Sequence, residues 1–163
     1  MIKYGFSVFA VAAIFVAFAG TVSPVAAQSG GEDAPALSLA QARQMVDAAE
    51  AEARANEWNV TIVVTDVDGV PIYLRRLDGA SPRSYDIAFN KARTVAATGM
   101  STLEYGQALN AGTVQPIENG INFEGGLPIR LGGELVGGIG TSGVRSNEDA
   151  QISRAGLAAI GAN

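Results

Sequence analysis

Lys91 is the only lysine of the chain after Lys3. Burial strips an ammonium of hydration and lowers its pKa, and the neutral amine can then act as a base or form an imine with a carbonyl. The competing reading, favoured by Arg93 two residues on, is an exposed or snorkelling cation on a helix. Glu118, Glu124, Glu148 and Asp149 could hold a hard cation or work as an acid/base pair. No spacing singles out two of them, so solvated surface charge is the simpler expectation and no metal-ligand set is assigned. Tyr105 falls on a short helical stretch beside a glycine-rich turn, where its phenol is either a ligand or a core aromatic. Trp58, Tyr73, Tyr85, Phe89, Tyr105 and Phe123 are the aromatics beyond residue 27, few enough to be expected mostly in the core.

The absences are as informative. The 163 residues include neither Cys nor His, which closes disulfides, thiolate nucleophiles, Cys/His zinc sites and His-dependent triads. A net charge of −5 argues against an electrostatic grip on nucleic acid or anionic lipid. Gly138-Ile-Gly140-Thr-Ser-Gly143 matches the letter of a dinucleotide-binding fingerprint, but the chain ends too soon for the parallel strand and acidic residue about 20 positions on that the fingerprint needs. The favoured reading is structural: these glycines let a helix sit close on a strand. A narrower alternative is an anion held by the amides of Thr141 to Asn147 at a helix N-terminus, against which Glu148 and Asp149 weigh. Asn59-Val60-Thr61 spells a glycosylation sequon at the start of a predicted strand and carries little weight.

These residues are positioned by a regular succession of elements. Residues 1–27 are expected to form a secretory signal, with Lys3 ahead of the apolar run Phe6 to Ala19 and the small-residue site Val25-Ala26-Ala27. The folded part is therefore expected to be periplasmic or secreted, with no stable membrane association after cleavage. Residues 28–37 read as a flexible lead-in and 38–163 as one domain. Ser38 with Gln41 is a capping box opening a helix that runs to about Asn56. Val60 to Thr65 and Val70 to Leu77 flank the turn residues of Asp66 to Gly69 and predict a hairpin. Ser81-Pro82 opens a second helix ending near Gly99. Ser101 with Glu104 starts a short third helix to about Asn110, followed by a loop through Pro116 to Asn119. Leu127 to Leu131 and Glu134 to Thr141 around Gly132-Gly133 predict a second hairpin. Asn147 is expected to cap a last helix. Hairpins on both sides of a helical middle imply an α+β fold: a mainly antiparallel sheet with helices packed on it.

Leu77-Asp-Gly-Ala80, Ala88-Phe-Asn-Lys-Ala-Arg-Thr94, Gly125-Gly-Leu-Pro-Ile129 and Gly137-Gly-Ile-Gly-Thr-Ser-Gly143, with Glu148-Asp149 and Ala155-Gly-Leu157 after them, resemble the GlcG/HbpS-like family. The likeness covers about residues 38–161. It implies a profilin-like α/β fold with a central antiparallel sheet of about five strands, homo-oligomeric assembly, and a link to haem or corrinoid binding, to redox sensing outside the cell and to small-molecule catabolic gene neighbourhoods. Histidine coordination, associated with haem binding in this family, is unavailable here, so an axial ligand would have to be Tyr105, Met100, Met45 or Lys91. The first functional expectation is an exported haem- or tetrapyrrole-binding protein, with Tyr105, Phe123, Asn119 and Met100 beside the ligand between the sheet and residues 99–125. The second is a small-molecule binding protein or enzyme for an organic acid or aromatic catabolite. Lys91, Glu124 and Glu148 are its candidate catalytic groups, and proton-transfer, isomerase or lyase chemistry suits them better than hydrolysis. The third is a structural oligomer partnering a sensor.

Overall fold

The computed structural model describes Met1 and residues 35–162. The expected export segment and the lead-in up to residue 34 lie outside the described residues. From Pro35 onward the elements are α1 (Leu39–Ala55), β1 (Thr61–Asp66), β2 (Pro71–Arg76), α2 (Pro82–Thr98), α3 (Thr102–Asn110), β3 (Gly126–Leu131), β4 (Glu134–Ser142) and α4 (Ser146–Ala159), in the order the sequence predicts. One sheet runs β2-β1-β4-β3, and every neighbouring pair is antiparallel. It has four strands, not about five: each hairpin supplies two, and residues 111–125 cross the molecule in turns without pairing. Pro71 and Pro128 sit on β2 and β3, the two edges, where a missing N–H leaves no ladder bond unmade.

Local chemistry sets the boundaries. Gly132 and Gly133 both take positive φ, 62° and 90°, the backbone that matches a two-residue turn to the twist of its strands. Ser38–Gln41 and Ser101–Glu104 form complete capping boxes. Ser81, by contrast, makes no capping bond through its side chain, and Pro82 alone marks the start of α2. The last helix begins earlier than expected: its cap is Arg145 rather than Asn147, because Glu148 reaches back to accept the Arg145 N–H at 3.0 Å.

The strands are sandwiched between helical layers. α2 lies on one face across β4, β1 and β3, while α1 and α4 pack together on the other. β1 is buried on both faces: Ile62 and Val64 join the large core with Met45, Val46, Ala49, Ile139 and Ile152, whereas Val63 packs with Ala88 and Ala92 of α2. Each fully buried aliphatic side chain contributes about 1.5–3 kcal/mol. β4 meets α2 through glycine. A Cβ on Gly140 would stand 2.2 Å from the Ala88 carbonyl oxygen, and one on Gly138 would stand 2.5 Å from that of Ala92. The glycine-rich motif therefore seats a helix on a strand. The aromatics depart from expectation: Tyr105 is fully buried, Trp58 and Tyr73 pack half-buried against the core, and Tyr85 and Phe123 are exposed.

Candidate functional site

The apolar stripe of α2 runs Ser84, Ala88, Lys91, Val95, so the same helical period that buries the alanines also buries the lysine. Lys91 is 0% exposed, and the expected surface cation is thereby corrected. Its Nζ donates to Asp149 Oδ2 at 2.7 Å and to the Thr141 carbonyl at 2.8 Å. Asp149 is also buried, not the solvated carboxylate expected. It lies on the α4 stripe Asp149, Ile152, Ser153, Gly156, and its Oδ1 accepts the Val144 N–H at 3.2 Å. The pair thus ties α2, on one side of the sheet, to the first turn of α4 on the other. Loss of hydration holds the Lys91 ammonium below the ordinary lysine range, opposed by Asp149 and Glu124, and the same loss pushes the Asp149 carboxyl up, opposed by Lys91.

A polar shell completes this junction. The Gly125 carbonyl accepts from Thr141 N at 3.0 Å and from Ser153 Oγ at 2.9 Å, and the Ser153 and Thr141 hydroxyls are 2.9 Å apart. A Cβ on Gly125 would fall 2.4 Å from Lys91 Nζ, so only glycine lets the chain close over the amine. The Phe123 ring covers what remains, its centroid 5.0 Å from Nζ. The α4 N-terminus is likewise occupied from within. The Val144 and Arg145 amides already bind Asp149 and Glu148, and the alternative of a bound external anion is answered by the chain's own carboxylates.

The remaining candidates are spread over separate openings. Met100 lines an open groove of about 520 Å³ with Gly99, Glu104, Gln107, Ala108 and Ala111, at the corner between α2 and α3. Asn119 lines a cleft of about 250 Å³ on the outer face of α2. Glu124 borders a small opening of about 170 Å³ between Ser101 and Arg154. Tyr105 lies in none of them: it is 1% exposed, and its hydroxyl accepts the Ile117 N–H at 2.9 Å, anchoring the loop that follows α3. Glu148 serves the α4 cap. Lys91, Phe123, Glu124 and Asp149 come together, with Glu124 near enough to act on the amine electrostatically. The place of Asp149 was readable from its i, i+3, i+4 spacing to Ile152 and Ser153.

Fitted against haem, the donor set narrows sharply. Met45, Lys91 and Tyr105 are sealed in the interior, which leaves Met100 among the four side chains considered. Its thioether is a known class of axial donor. Arg130 donates to the Gly99 carbonyl at 2.9 Å and lies close enough to Glu104 to act on its carboxylate. Gly99, Ala108 and Ala111 beside Met100 fit a flat, largely apolar ligand, with the Glu104 carboxylate on the same lining.

Comparison with known proteins agrees with this architecture. GlcG of Escherichia coli strain K12 is 32% identical over 108 residues, which is 65% of this chain and 81% of that protein. The crystal structure of a double mutant of HbpS from Streptomyces reticuli superposes with a TM-score of 0.75 at 35% identity, covering 85% of this chain and 97% of that one. A crystal structure of a PduOC:haem complex superposes with a TM-score of 0.69 at 26% identity, covering 79% and 98%. The family model described as haem degrading protein HbpS-like matches residues 37–158. With the family's fold present along that whole span, this chain belongs to the HbpS-like family.

Proposed function

We propose that the protein binds haem or a related tetrapyrrole outside the cytoplasm, in the groove at the α2–α3 corner. The observation that carries this reading is that Met100 alone, of the four side chains considered as axial ligands, lines an open and partly apolar surface, in a fold whose relative PduOC has been crystallised with haem. Ala108 and Ala111 offer the macrocycle an apolar floor. Bound haem would bring redox and small-ligand chemistry at its iron; the chain's own part is to seat it and to limit solvent on one face. Export is supported by Lys3, the apolar run Phe6 to Ala19 and the small residues Val25 to Ala27. Homo-oligomeric assembly is supported by the two open sheet edges, β2 and β3.

Hemin titration of the purified protein tests the reading. A shifted Soret band is expected. Met100→Ala should weaken binding about tenfold, and Tyr105→Phe should leave the band where it is. A hemin spectrum unchanged by the protein removes the proposal.

A further inference from the structure

A different opening carries its own chemistry. The cleft on the outer face of α2, between the β1–β2 turn and residues 117–119, encloses about 250 Å³ and is lined by Asp68, Asn90, Arg93, Glu118 and Asn119. Among the described residues none of these five side chains has an ion-pair or hydrogen-bond partner. A guanidinium and two carboxylates thus share one small opening without neutralising one another.

The Arg93 group is held in place without being consumed. Its guanidinium lies over the Phe89 ring, 5.5 Å from the centroid. Gly69, at φ 78°, brings the β1–β2 turn against its stem, with Arg93 Cγ 3.5 Å from where a Cβ would stand. On the facing wall Asn119 takes a left-handed backbone, φ 57°, a conformation that asparagine tolerates. Val67, Ala97 and Ile117 supply apolar surface beside these groups.

We infer that this cleft binds a small zwitterion of the α-amino-acid class. Arg93 pairs with the carboxylate, in the two-pronged geometry that guanidinium favours. Asp68 and Glu118 receive the ammonium, the Asn90 and Asn119 amides set the register, and Val67 and Ile117 take a modest apolar side chain. A simple organic acid would meet two carboxylates, and a simple amine would meet Arg93, so neither half alone satisfies the site. At about 250 Å³ the cleft falls just below the usual range of ligand cavities, roughly 300–1,000 Å³, which suits a small metabolite and is too small for a tetrapyrrole.

The test is calorimetric titration of the full chain with each of the twenty amino acids, with propionate and ethylamine as the halves of alanine. At least one amino acid should bind, and each half should bind at least tenfold more weakly. Arg93→Met keeps the stem on Phe89 and removes the charge; it should cost at least tenfold in affinity with the melting temperature unchanged. Asn119→Gly keeps the left-handed backbone and should weaken binding several-fold. Hemin spectra of both variants should match the parent, which separates this site from the Met100 groove. Absence of binding by any amino acid, propionate binding as tightly as the best amino acid, or unchanged affinity in Arg93→Met would each overturn the inference.

Discussion

A lysine and an aspartate buried together behave as a unit, because each supplies the counter-charge that its partner's lost hydration requires. Removing one leaves the other charged in a dry interior, which costs about 3–5 kcal/mol, whereas replacing both with apolar groups of similar size is often neutral. Lys91→Met and Asp149→Leu should each lower unfolding free energy by that amount in urea titrations, and the double variant should recover most of it. Equal and additive losses would show that the two act independently. The pair's position was present in the spacing of Ser84, Ala88, Lys91 and Val95. Its partner was not, because Lys91 and Asp149 are 58 residues apart and only the folding of α4 across the sheet end brings them together.

The elements are held by short-range devices, and these respond predictably to change. In α3 the Ser101 N–H and hydroxyl both donate to Glu104, each at 2.8 Å, and these bonds hold the Glu104 carboxyl below the usual range. A depressed folded-state pKa means stability that is present above the unfolded value and lost as pH falls through the folded one. Acid titration of stability should therefore show a component disappearing below about pH 4.5 that Glu104→Gln abolishes. Ser101→Ala should cost about 1 kcal/mol at neutral pH. The contact between α2 and β4 is less forgiving. Gly140→Ala drives a methyl to 2.2 Å from a backbone oxygen and should cost about 3 kcal/mol. Gly132→Ala meets open space and pays only for its left-handed backbone, about 1–2 kcal/mol; thermal melts of the two variants should differ accordingly.

At the scale of the molecule, ligand binding is linked to stability by mass action. If the Met100 groove holds haem, hemin at about 100 times its Kd should stabilise the fold by about 2.7 kcal/mol and raise the melting temperature by several degrees. Met100→Ala should erase most of that shift at the same hemin concentration. A melting temperature indifferent to hemin would count against specific binding to the native state. The three-layer arrangement also explains why one groove is available while other candidates are not. Met45 faces the α1–α4 core, Tyr105 is used to anchor the 111–125 segment, and Lys91 is enclosed at the sheet end.

Periodicity, capping pairs and turn glycines are local, and they were enough to fix the succession of helices and strands, the two hairpins and the antiparallel sense of the sheet. The absence of Cys and His likewise decided from composition alone which chemistries were closed. Which side chains reach solvent was settled only by packing. Tyr105, Met100, Met45 and Lys91 all stood as candidate axial ligands along the chain, yet layering buried three and left one open. The unpaired group of Asp68, Arg93 and Glu118 also belongs to three segments far apart in sequence. No local rule joins such residues, because their proximity follows from where α2 settles on the sheet.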